Sequence, residues 1–139
     1  VKPFYKEKYL GKWYEIARIA NDFQPNMNNV VAEYIPNIDG SITVINTGYI
    51  NGQQRQIIGT AIKTDKDDIL KVSFYPDDYS DYKILAIDEN YQYALVVGEN
   101  ENFLWILSRM PYIDKIVYDK FIDIANKNGF NTDKLIINE

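Results

Sequence analysis

"YLGKWYEIAR" (9–18) sets a tryptophan and a tyrosine side by side, two residues after a glycine, at the head of the first run that alternates like a strand. The second tryptophan lies in "FLWILSRMP" (103–111), again on an alternating run and just ahead of an arginine. The chain has only two tryptophans, so both falling in such runs needs a reason. They read as two strands, each anchored by an indole.

Between these segments short alternating runs recur at the spacing of antiparallel strands: Lys12–Ile19, Val30–Pro36, Ser41–Tyr49, Gln53–Lys63, Ile69–Tyr75, Tyr82–Asp88, Tyr93–Gly98 and Phe103–Arg109. The separators carry turn chemistry, with "NIDG" at 37–40, "NG" at 51–52, "TDKDD" at 64–68 and "ENEN" at 99–102. Such short links leave no room for crossover helices, which excludes a parallel sheet. Past Ile113 the period changes. Ile116, Val117, Phe121, Ile124 and Ala125 predict a helical face, with Asp114 as N-cap and Gly129 as the left-handed stop. "KLIIN" (134–138) is a further short strand. Eight meander strands hide their edges most simply by closing on themselves. The expected fold is all-β: an eight-stranded antiparallel up-and-down barrel with a C-terminal helix and a short closing strand, in one domain over 1–139.

Composition narrows the function. A net charge of −5 disfavours nucleic-acid binding, which needs a basic footprint. The sequence has neither histidine nor cysteine, which removes imidazole bases, thiolate nucleophiles, disulfides and the usual transition-metal ligands. No cofactor or metal is expected. Twelve tyrosines favour strands and half-wet binding surfaces. No stretch approaches the roughly 20 apolar residues of a membrane-spanning helix. The sequence begins at Val1 without methionine, which leaves open a leader or lipid-anchor segment removed before it.

The residues also match a family. Gly11-x-Trp13-Tyr14-Glu15-Ile16-Ala17 resembles the first signature of the lipocalins. "ILAIDENYQYALV" (84–96) resembles their second, with Asp88 before a tight turn and Tyr93 after it, and "LWILSRMP" (104–111) resembles the third, which ends in Arg109. One departure is Ile87, standing where threonine is usual, with one extra residue in the turn. The nearest likeness is to bacterial outer-membrane lipocalins and the apolipoprotein D branch. That resemblance implies a tryptophan plug at the closed end, with Arg109 packed across Trp13 in a cation–π contact. It implies a ligand such as a fatty acid or lysophospholipid, carried or stored in the barrel, and a location in the cell envelope, periplasmic or anchored to the outer membrane. A homodimer is implied by the same relatives and by no residue of this sequence.

Parity carried from Trp13 and Arg109 predicts the ligand-facing residues. Strand eight contributes Phe103, Trp105 and Leu107; strand six Tyr82, Ile84 and Ala86; strand five Leu70, Val72 and Phe74. Strand two contributes Val30, Ala32 and Tyr34, and strand three Val44 and Asn46. For strand four the expectation is Ile57 and Gly59, although "QIIGTAI" (56–62) is apolar in both parities. Small residues at positions 32, 59 and 86 leave depth near the axis, so the expected cavity is dry and apolar. In "NDFQPNMNN" (21–29), Phe23 and Met27 are lid contacts by analogy with the long loop over a lipocalin mouth. Strict alternation from Trp13 points Arg18 outward; only a bulge in strand one would turn it in. The competing reading is an enzyme on the same barrel acting on a lipid or other apolar small molecule. Its carboxylates would be Asp77, Asp78 and Asp81 in "FYPDDYSDYK" (74–83), which read more simply as a solvated loop.

Overall fold

A computed structural model describes residues 6–19, 28–66, 68–73, 79–98 and 103–137. A single helical turn, α1 (Lys6–Tyr9), leads into β1 (Gly11–Ile19), β2 (Asn28–Pro36), β3 (Ile42–Ile50) and β4 (Gln53–Lys63). There follow β5 (Ile69–Ser73), β6 (Ser80–Ile87), β7 (Tyr93–Val97), β8 (Leu104–Ser108), α2 (Lys115–Lys127) and β9 (Leu135–Ile137). Each of the first seven strands pairs antiparallel with the next, and β1 pairs with both β2 and β8, so the sheet closes into a barrel. Strand β1 serves two neighbours on one edge: Gly11–Tyr14 pair with β2, and Ala17–Ile19 pair with β9.

Local chemistry accounts for the turns. Asn51 (φ 51°) and Gly52 (φ 79°) both adopt the left-handed backbone of a tight hairpin, which lets β3 and β4 pair out to Ile50 and Gln53. At the opposite end, one oxygen of the Asp88 carboxylate accepts from the backbone N–H of Gln92 (2.7 Å) and Tyr93 (2.8 Å). That fixes the β6–β7 turn and holds Tyr91 at φ 54°. The Asn51–Gly52 turn marks the mouth of the barrel; α1 and the turns at 37–40, 64–68 and 88–92 mark its foot. Residues 20–27, 74–78 and 99–102 lie outside the described residues, and with them Phe23, Met27, Phe74, Asp77 and Asp78.

Helix α2 covers one outer wall. Asp114 caps it by accepting from the N–H of Ile116 at 2.8 Å. Its C-terminus ends in paired bonds, Gly129 N–H to Asn126 O and Phe130 N–H to Ala125 O. Phe121 and Ala125 pack on Ile19, Leu95, Val97, Leu104 and Ile106, which explains why β7 is apolar on both faces. Ile116 does not join them: it is 77% exposed. At 100° per residue it lies about 140° round the helix from Phe121, whereas Val117 lies about 40° from it.

Two bulges refine the expected parity. Between β1 and β8, Glu15 stands opposite Leu107 but Ala17 opposite Ile106, so Ile16 is an extra residue. Between β6 and β7, Ile84 stands opposite Val96 but Ala86 opposite Leu95, so Leu85 is extra. Both bulges lie under α2 and feed it additional apolar contacts, Ile16 with Ala17 and Leu85 with Ala86. Beyond each bulge the faces exchange. Ala86 therefore points out toward the helix, against the expectation that it lines the interior, and Ile87 takes the inward place. By the same shift Arg18, opposite the inward Trp105, turns into the barrel.

Candidate functional site

The foot of the barrel is sealed by residues from three segments. Trp13 is 0% exposed, stands opposite the small Ala32, and donates its indole N–H to Tyr9 O at 2.7 Å. The guanidinium carbon of Arg109 lies 3.7 Å from the centre of the Trp13 ring. Its planar fork donates from Nε to Tyr91 O (3.0 Å), from Nη1 to Lys12 O (2.8 Å) and from Nη2 to Lys8 O (2.9 Å). Gly11 is required at the entry to β1 by its backbone: its φ of 100° suits glycine, whereas a Cβ there would meet Arg109 Nη1 at an ordinary 3.5 Å contact. Tyr14 faces outward, half-buried, with Val31 and Ser108 as its strand partners. Tyr93 packs with the cluster under α2.

Above the plug lies a layer of phenols. The Tyr9 ring is 5.1 Å from Trp13 and 5.2 Å from Tyr34. The Tyr82 hydroxyl bonds to those of Tyr9 and Tyr34, the latter at 2.7 Å. Burial pushes all three hydroxyls up, Tyr34 to about 12. The sign follows from linkage. The unfolded chain releases these protons near pH 10.0 and the folded chain holds them, so their contribution is intact below that pH and is lost as the pH rises above it, through about 12 in the case of Tyr34. Spectrophotometric titration should therefore show the three phenols ionising in step with alkaline unfolding. A folded protein in which every tyrosine ionises with a midpoint near 10 would contradict the buried cluster.

The rest of the inner wall has two characters. Val30, Ala32, Tyr34, Val44, Gly59, Leu70, Val72, Tyr82, Ile84 and Leu107 are buried, as is Asn46. Toward the mouth, Ile57, Phe103 and Trp105 share the inward parity yet are only half-buried. The Trp105 ring stacks at 6.4 Å from Tyr82 and stands 6.3 Å from Phe103. Small residues at 32, 48, 59 and 61 face the interior on β2, β3 and β4. The inner face also includes Ile42, Ala61, Ala94 and Val96. Ile42 and Ala61 continue the alternation of Val44 and Gly59; Ala94 and Val96 were hidden in the two-sided run "YALVV" (93–97).

The interior holds charge as well as the Asn46 amide and tyrosine hydroxyls that parity predicts. Glu15 and Arg18 face inward on either side of the Ile16 bulge and form a buried ion pair at 2.8 Å. Glu15 was open to prediction, being in phase with Trp13; Arg18 was not, since nothing in the sequence marks the bulge. The remaining acidic candidate, Asp81, lies outside on β6 and pairs across the strand with Lys71 at 2.6 Å. Among the described residues no group of three or more His, Cys, Asp or Glu side chains is placed to hold a metal ion.

A family model described as a lipocalin-like domain matches residues 6–139. The Vibrio cholerae protein named outer membrane lipoprotein Blc is 41% identical over 141 residues, spanning 98% of this chain and 82% of its own. Mouse apolipoprotein D is 34% identical over 141 residues, spanning 93% of this chain and 73% of its own. Among solved structures, lobster apocrustacyanin A1 is similar with a TM-score of 0.80 at 18% identity, over 96% of this chain and 78% of that one.

Proposed function

This chain belongs to the lipocalin family, and on that footing we propose that its barrel binds a hydrophobic small molecule, a fatty acid or lysophospholipid, and carries or stores it without chemical change. The observation that carries the reading is the contrast along the inner wall. Trp13 and Tyr9 at the foot are sealed, while inward-facing Ile57, Phe103 and Trp105 toward the mouth keep contact with solvent. A barrel packed solid from end to end would bury all of them. An acyl chain would exploit that surface: at about 0.8 kcal/mol per buried methylene, ten methylenes offer ~8 kcal/mol before ordering costs. The names of the bacterial relatives support a place in the cell envelope, where such amphiphiles are abundant. Self-pairing belongs to the same reading.

The test is native mass spectrometry of protein purified without added lipid, before and after solvent extraction. The expected result is a reproducible acyl species that extraction removes. Bare protein that also leaves the emission of a fluorescent fatty acid unchanged would overturn the reading.

A further inference from the structure

Among the described residues, the barrel holds a polar arrangement that is left incomplete. The Glu15 and Arg18 side chains are 3% and 2% exposed, and Arg18 Nη1 donates to Glu15 Oε2. Among the described residues, Arg18 Nε is the one buried side-chain nitrogen or oxygen without a hydrogen-bond partner. A guanidinium offers five donors in a fixed plane, and Nε–H projects from the side of the fork away from Nη1. Glu15 therefore engages one edge and leaves the other open. Buried donors are nearly always matched, so an unmatched one on a cation invites an explanation. Its position supplies one. The bulge at Ile16 turns Arg18 into the interior opposite Trp105, in the mouth half where the inward-facing Ile57, Phe103 and Trp105 are only half-buried.

We propose that Arg18 is the anchor for the anionic head group of the barrel's ligand, an oxyanion of the carboxylate or phosphate class that accepts from Nε–H beside Trp105. The inference rests on the lipid-binding reading and names the end of the lipid that the protein recognises. Glu15 balances the guanidinium when no ligand is bound, so the empty barrel does not bury an uncompensated charge. It also sets the selectivity. A neutral ester meets a donor without the charge that makes the bond strong, and a head group that brings its own cation meets the guanidinium with repulsion. Because a ligand anion must share Arg18 with Glu15, removing the Glu15 charge should strengthen the preference for anions, whereas removing both charges should erase it.

The experiment titrates oleic acid, methyl oleate and oleoyl lysophosphatidic acid into the wild type, Glu15→Gln and Glu15→Gln/Arg18→Gln, following tryptophan emission, with melting curves to establish that each variant is folded. The wild type should bind at least one of the two acids about tenfold or more tightly than the ester. That ratio should rise in Glu15→Gln and collapse to about one in the double variant. Preference for oleate alone identifies a free carboxylate as the source, and preference for the lysophosphatidic acid alone identifies a phosphate; either supports the anchor. Equal affinity of the wild type for acid and ester, or a preference that survives in the double variant, overturns it while leaving the lipid-binding cup standing. If no probe binds the wild type, the cup itself fails and the anchor with it. Should the double variant not fold, the wild-type ratio and its change in Glu15→Gln still decide the matter.

Discussion

Arg109→Ala is expected to lower the stability of the protein by about 3–5 kcal/mol, seen as a fall in melting temperature of roughly 10 °C or more. The magnitude follows from what the side chain joins. Its three donors reach carbonyls of Lys8 in α1, Lys12 in β1 and Tyr91 in the β6–β7 turn. Each bond involves a charged donor, worth about 1.5–3 kcal/mol, and the stack on Trp13 adds roughly 1 kcal/mol. The sum overstates the loss, because the guanidinium is partly exposed and water can reach some of the freed carbonyls. Arg109→Lys separates the contributions. An ammonium keeps the charge over the indole but cannot span three carbonyls on three segments, so it should recover only a minor part. Melting curves of both variants check this. An alanine variant that melts within a degree or two of the wild type would show that the foot is held by Trp13 and Tyr9 alone.

The same residues show what the sequence discloses. Trp13 and Arg109 could be placed at one closed end because the lipocalin-like signatures put them there, and strand parity was then carried from them. The turns were legible because Asn51–Gly52, Asp88 and Gly129 each have a local chemical reason to be where they are. Parity was legible wherever one face of a strand is polar, as in β2 and β3, where exposed and buried residues alternate. It failed where burial on both faces erases the alternation, as in β7, and where a bulge exchanges the faces. Ala86 was misplaced for that second reason: Leu85, Ala86 and Ile87 are all apolar, so no side chain objects to either register, and the demand of α2 for outer contacts decides. The bulge in β1 had the larger consequence. Ile16 and Ala17 hide it just as well, yet it converts a residue predicted to face solvent into a buried cation and gives the barrel its polar interior.

That conversion has an energetic signature. Arg18→Met should destabilise the protein by about 3–5 kcal/mol, because it strands the Glu15 carboxylate in the barrel with its ion-pair partner gone. Glu15→Met should cost a similar amount, since it strands the guanidinium and adds a second unmatched donor to Nε. The double variant, Glu15→Met with Arg18→Met, is expected to lie much closer to the wild type than the sum of the singles, and above it by up to about 1–4 kcal/mol if the two thioethers pack well. The reason is that two desolvation penalties vanish together with one attraction. Chemical denaturation of the four proteins closes the cycle and yields the coupling directly. A double variant as unstable as the two singles combined would mean that the pair is not coupled, and that Arg18 points elsewhere. If instead it equals or exceeds the wild type, the pair is not retained for stability. A buried cation that the fold does better without, carrying one donor that nothing among the described residues satisfies, is then explained by what the barrel must hold.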